Sequence, residues 1–127
     1  MVNREKKMVL YALKEATHDD LNATFFRNTC KTDVFIANDG LTAVSLYKEH
    51  RPDLVHLDLN LPKLDGVSVL RQILDFDENA RIIISTLEDD NEIIEECYEI
   101  GVYKYLIEPI AVDTWQQTIH VALSDDE

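Results

Sequence analysis

The chain alternates short apolar runs with stretches of helical spacing. Residues 8–13 (MVLYAL) are continuously apolar, as a strand covered on both faces requires. The run ends at Lys14-Glu15. Thr17, with Asp20 three residues on, then reads as the N-cap of a short helix through Phe25 and Phe26 that ends near Asn28. Residues 34–37 (VFIA) are a second strand, and Asn38-Asp39-Gly40 turns into a helix over 41–49 with Ala43, Val44 and Tyr47 toward one side. His50-Arg51-Pro52-Asp53 breaks that helix. A third strand covers 54–57, and the helix after it, about 65–74, places Val67, Leu70 and either Ile73 or Leu74 on one face. Residues 81–85 (RIIIS) are a β-branched strand with Thr86 at its end. Glu88-Asp89-Asp90-Asn91 opens the next helix, where acids suit the positive end of the dipole. Gly101 reads as its left-handed C-cap. A fifth strand covers 103–107 and stops at Glu108-Pro109; the last helix, about 112–123, buries Trp115, Ile119 and Ala122. Five strands alternating with five helices predict an α/β fold: one doubly wound parallel sheet with right-handed crossovers.

In an open parallel sheet the ligand crevice lies outside the carboxyl ends of the strands. Four of the five predicted ends carry polar groups: Leu13-Lys14-Glu15, Asp58, Thr86 and Glu108. The stretch 53–66, DLVHLDLNLPKLDG, is the most distinctive. Its apolar strand delivers Asp58, Leu61-Pro62 stops the strand, and Asp65-Gly66 starts the next element. A lone carboxylate at the end of a buried strand is costly to bury. Asp58 reads either as a site residue or as an ordinary acid in a turn.

Size and composition narrow the class. The 127 residues suit one domain, 1–127, with its core over about 7–123. A hydrophobic content of 46% with 29% charged residues fits a folded rather than a disordered chain. The formal net charge of −13 repels nucleic acid, so direct DNA binding is not expected. Its acids are spread along the chain apart from a short tail over 124–127. No apolar run is long enough to span a bilayer. The opening MVNREKKMVL lacks the apolar region and cleavage site of a signal peptide, so a cytoplasmic location is expected. Cys30 and Cys97 fit no metal or redox spacing, and Cys97 shares an apolar helix face with Ile93 and Ile100, as a core residue does. His18, His50, His56 and His120 have no partners at metal-ligand spacing; His56 alternates with Asp58 on the third strand, toward the core.

These residues resemble the receiver domain of two-component response regulators over nearly the whole chain, roughly 7–123. LDLNLPKLDG (57–66) is similar to the family's phosphoacceptor loop. Asn38-Asp39-Gly40 before the second helix, Ser85-Thr86 after the fourth strand, and YLIEP (105–109) agree in order and spacing. The resemblance implies a flavodoxin-like sheet of order 2-1-3-4-5. It implies Asp58 as acceptor of a phosphoryl group from a histidine kinase, Thr86 as a hydrogen-bonding contact to that group, and Tyr105 as an aromatic switch between exposed and buried positions. It implies the surface of helix 4, strand 5 and helix 5 as the partner-binding and homodimer face. The family's Lys-Pro bond is typically cis, and the same is expected of Glu108-Pro109.

Two departures stand beside the agreement. The family's acidic pair after the first strand, which holds Mg²⁺, falls on Lys14 and Glu15; neighbouring registers give Leu13/Lys14 or Ala16/Thr17, and none supplies two carboxylates. The metal donors that the resemblance leaves are Glu15, Asp58 and Asn60, a weak set. Glu108 stands where the family has a lysine that contacts the phosphoryl group. Phosphoryl transfer depends on cations that neutralise the equatorial oxygens. Two unit charges 4 Å apart interact by about 4 kcal/mol at an effective dielectric of about 20, so reversing the charge at Glu108 opposes phosphorylation of Asp58. Lys14 reads either as a substitute cation paired with Asp58 or Glu108, or as a solvated lysine.

The expected function is therefore that of an atypical stand-alone receiver in phosphorelay signalling, a pseudo-receiver that acts mainly as a protein-interaction module and not as an enzyme, with phosphorylation at Asp58 weakened or lost. The alternative is a phosphorylatable receiver. An aspartyl-nucleophile phosphatase is less favoured, because Asn60 stands where the haloacid dehalogenase motif has a second acid. Flavin binding wants a hydroxyl-rich loop after strand 1, and 14–18 (KEATH) offers one hydroxyl. No cofactor is expected beyond weakened Mg²⁺.

Overall fold

The computed structural model describes residues 6–124, which excludes both the opening five residues and the end of the acidic tail. Five strands are present: β1 (Met8–Ala12), β2 (Asp33–Ala37), β3 (Leu54–Leu57), β4 (Ile82–Thr86) and β5 (Lys104–Ile107). The helices are α1 (Leu21–Thr24), which runs on into a π-helical turn over Phe25–Thr29, then α2 (Gly40–His50), α3 (Gly66–Phe76), α4 (Asn91–Ile100) and α5 (Val112–Ser124). The sheet order is β2-β1-β3-β4-β5 and every pairing is parallel. Architecture and strand order are those expected from the sequence.

Alternation along the central strands divides the core into two layers. Leu10, Ala12, Val55, Leu57, Ile82 and Ile84 pack with Ala43, Tyr47, Leu70, Ile73 and Cys97 of α2, α3 and α4. Val9, Tyr11, Leu54, Ile83 and Leu106 pack with Phe26, Trp115 and Ile119 on the α1 and α5 side. Successive strand side chains point to opposite faces, so an apolar run serves both layers at once. Each fully buried isoleucine of β4 contributes about 2 kcal/mol through burial.

Boundaries differ where a local hydrogen bond wins. Thr17 does not cap α1; Asp20 does. Its carboxylate accepts from the Ala23 N–H at 2.8 Å, the Thr17 N–H at 3.1 Å and the Tyr11 hydroxyl at 2.9 Å. A carboxylate with two oxygens holds all three donors, so 17–20 form a turn ahead of the helix. β1 stops at Ala12, and Thr86 belongs to β4. Gly101 caps α4 with φ 128°, and the Glu108-Pro109 bond is cis.

Candidate functional site

Asp58 follows the last residue of β3. Its N–H donates to the Ala12 carbonyl at 3.0 Å, which anchors it to β1, and the Asn60 N–H donates to its Oδ1 at 3.3 Å. The loop beyond is held from two sides. The Gly66 N–H bonds the Leu59 carbonyl at 2.9 Å, and a Cβ at Gly66 would collide with Leu59 and approach the Asp58 carbonyl oxygen to 2.7 Å. The Gly40 N–H bonds the Pro62 carbonyl at 3.0 Å, and a Cβ there would collide with Leu64. Only glycine lets the starts of α2 and α3 come this close to the loop. The N-cap of α2, Asp39, adds an ion pair to Lys63 at 3.8 Å. The Thr42 N–H on its carboxylate, at 2.7 Å, is the main reason its pKa lies below the usual range.

The opposite wall is made by the end of β4 and the loop after it. Thr86 is buried, and its Oγ1 accepts from the Glu88 N–H at 3.4 Å. The Glu108 N–H extends the β4–β5 ladder onto the Thr86 carbonyl at 2.7 Å, and the Ser85 hydroxyl donates to Glu108 Oε2 at 2.7 Å. Asp58, Asn60, Thr86 and Glu108, with Glu88 and Asp89, line one cleft of about 620 Å³. The cleft is strongly acidic. No ion pair among the described residues engages Asp58, Glu88, Asp89 or Glu108.

Lys14 and Glu15 do not line the cleft. Ala12 is the ladder partner of Leu57, so the register continues with Leu13 beside Asp58. Beyond it the chain turns away, with the Ala16 N–H bonding the Leu13 carbonyl at 3.0 Å. Asn38 locks this turn: its Nδ2 donates to the carbonyls of Leu13, Lys14 and Ala16 at 3.1, 3.2 and 2.9 Å. Both Lys14 and Glu15 are exposed, and Lys14 makes no ion pair among the described residues. The substitute-cation pairing is thus not formed, because the loop is held by its carbonyls rather than by its charges.

The Mg²⁺ donors that the sequence offers are only partly brought together: Asp58 and Asn60 line the cleft, and Glu15 does not. Among the described residues no three Asp, Glu, His or Cys side chains are grouped so that they could hold a metal ion.

Tyr105 is only 7% exposed. Its hydroxyl donates to the Glu88 carbonyl at 2.8 Å, and its N–H donates to the Tyr98 hydroxyl at 3.0 Å. Burial, with added repulsion from Cys97, Glu88, Asp58 and Asp89, pushes its phenol up to about 12. The ring therefore stays a neutral donor that ties β5 to the cleft wall at Glu88.

The geometry of an acid after β3, a buried hydroxyl on the last residue of β4 and a polar group after β5 has a counterpart in known proteins. The response regulator receiver domain model matches residues 14–120. The chain belongs to the receiver domain family. This receiver is 36% identical over 93 residues to sporulation initiation phosphotransferase F of Bacillus subtilis, covering 73% of each chain. It is 32% identical over 88 residues to the chemotaxis protein CheY of the same organism, covering 69% of this chain and 73% of that one. It also superposes with a TM-score of 0.81 on a chain of the CheX–CheY–BeF3–Mg²⁺ crystal structure from Borrelia burgdorferi, at 25% identity over 94% of this chain and 90% of that one. Receivers of this family are modules of two-component, phosphorelay-type signalling and interact with histidine kinases and other signalling proteins. No helix among the described residues is long and apolar enough to cross a membrane.

Sequence reasoning did not assign the residues that hold this receiver's cleft in shape. Asn38 clamps the β1–α1 loop and Ser85 orients Glu108. Ser85 had a signal: a hydroxyl inside an otherwise apolar strand needs a partner. Asn38 had none beyond its place before a helix.

Proposed function

We propose that this receiver acts mainly as a protein-interaction module of phosphorelay signalling, not as an enzyme, with phosphorylation at Asp58 weakened or lost. The observation that carries the reading is Glu108, a carboxylate lining the same cleft as Asp58 with no cation paired to either among the described residues. A phosphorylated Asp58 brings nearly two negative charges into that cleft. Each pairwise repulsion at about 4 Å amounts to about 1–4 kcal/mol between bulk water and an effective dielectric of 20. The poor metal donor set of Glu15, Asp58 and Asn60 supports the same reading. The partner face of this reading is α4, β5 and α5, where Tyr98 and Ile107 are exposed; a second copy of the chain is one occupant of that face.

A second reading, a receiver that still takes a phosphoryl group from a histidine kinase, is favoured by Asp58 and Thr86 lining one cleft. There the Asp58 carboxylate forms the new bond to phosphorus while the donor's bond to phosphorus breaks, and the Thr86 hydroxyl contacts the transferred group. Intact-protein mass after incubation with acetyl phosphate separates the two, with and without Mg²⁺, on wild type, Asp58→Ala and Glu108→Lys. The proposed function expects no phosphoryl increment on wild type and a gain on Glu108→Lys. A full increment on wild type that requires Asp58 overturns it.

A further inference from the structure

Beside the acidic cleft a cavity of about 530 Å³ is lined by Phe25, Trp115, Ile110 and Pro109, with one carboxylate, Glu108. Its volume falls within the range of small-molecule sites, about 300–1,000 Å³. The lining is fixed from behind. The Trp115 indole N–H donates to His56 Nε2 at 2.9 Å, and its ring packs on Phe25 and Phe26 with centroids 5.2 and 5.6 Å away. The one polar atom of that ring is thus already satisfied inside the core, and what Trp115 offers the cavity is apolar surface.

Glu108 decides the chemistry of the occupant. Its Oε2 accepts from the Ser85 hydroxyl at 2.7 Å, and no Lys or Arg pairs with it among the described residues. A carboxylate has room for about four hydrogen bonds, so a half-buried one that holds a single neutral donor is short of partners. An anion is repelled here, a neutral apolar molecule leaves the shortage as it was, and an ammonium group meets it with a charge-assisted bond. The side-chain amides of Asn22 and Gln116 also line the cavity and bring further acceptors for an ammonium's three N–H groups.

We propose that this cavity binds a small primary amine with an apolar body, the body against Phe25 and Trp115 and the ammonium on Glu108. The site goes beyond the interaction-module reading and stands whether or not Asp58 takes a phosphoryl group. Glu108 and Leu87 line both this cavity and the cleft of Asp58. A bound amine therefore offsets the charge of the one carboxylate that the two openings share.

The test uses the full chain without any phosphodonor, so its failure is distinct from the outcome of the mass measurement. The probe is 4-phenylbutylamine at physiological salt, followed by calorimetry and by the emission of Trp115. Butylamine carries the charge without the ring, and 4-phenylbutanol the ring without the charge. Saturable binding of the probe is expected, with a dissociation constant of about 1 mM or below. Both control ligands bind about tenfold more weakly or worse. Glu108→Gln keeps an acceptor for Ser85; it weakens the amine about tenfold and leaves the alcohol unchanged, which also reports that the cavity is intact. Glu99→Gln, an exposed acid on α4, removes the same charge and changes nothing. The proposal is overturned if the probe does not saturate, if 4-phenylbutanol or butylamine binds as tightly as the probe, or if Glu108→Gln weakens the amine no more than Glu99→Gln does.

Discussion

Acidification should destabilise this protein through one imidazole. His56, on β3 two residues before Asp58, is 4% exposed. Its Nε2 accepts from the Trp115 indole N–H at 2.9 Å, and its Nδ1 has no partner. The rings of Tyr11, Phe26 and Trp115 surround it at centroid distances of 5.5–5.6 Å. Burial pushes its pKa down to about 4, against a smaller upward pull from Asp20. The folded state thus binds fewer protons than the unfolded state between about pH 4 and 6.5. The stabilisation is complete above the unfolded value of about 6.5 and is lost as pH falls toward 4. With folded and unfolded pKa values of about 4 and 6.5, the loss between about pH 7.5 and 4.5 is about 2.5 kcal/mol, a large share of an ordinary domain's stability. Protonation also places an N–H opposite the indole N–H, which breaks the bond to α5. The measurement is urea unfolding followed by the emission of Trp115, the single tryptophan, at both pH values. His56→Gln is the comparator, since its amide does not titrate. Wild type should lose about 2.5 kcal/mol more than the variant. Parallel profiles, within about 0.5 kcal/mol, would refute the reasoning.

Two further outcomes follow from the cleft walls. Gly66→Ala forces a Cβ against Leu59 and the Asp58 carbonyl oxygen, and should cost about 2 kcal/mol or more in chemical denaturation, because both obstacles are main chain. Tyr105→Phe removes the hydroxyl bonded to the Glu88 carbonyl and should cost about 1 kcal/mol while leaving the fold intact, read by thermal unfolding and circular dichroism.

What was legible in the sequence depended on range. The parallel sheet and its two covering layers followed from features repeated many times, such as the apolar runs at Met8–Ala12 and Ile82–Thr86 and the breaks between them, whereas the strand order came with the family resemblance. The cleft was legible as a set of strand ends, because the carboxyl ends of parallel strands meet whatever the loops do. The loops themselves were not. Whether Thr17 or Asp20 caps α1 turns on which group collects more donors, and that includes Tyr11 from another element. The π-helical turn at Phe25–Thr29, closed by the Cys30 N–H on the Phe25 carbonyl, leaves Phe25 and Phe26 both buried, a demand of packing rather than propensity. The place of Lys14 depended on Asn38, distant in sequence and acting on main-chain carbonyls. Contacts of this kind carry no periodicity.

The clasp at Gly40 and Gly66 makes the two jaws of the cleft mechanically unequal. The jaw that carries Asp58 is bolted by main-chain bonds to the starts of both α2 and α3, so moving it means moving two helices. The jaw that carries Thr86 and Glu88 is tethered by the ladders of β4 with β3 and β5 and, beyond the strand, by the Tyr105 hydroxyl bond to Glu88. The starts of α2 and α3 thus form a main-chain seat beneath the Asp58 loop, which the wall across the cleft lacks.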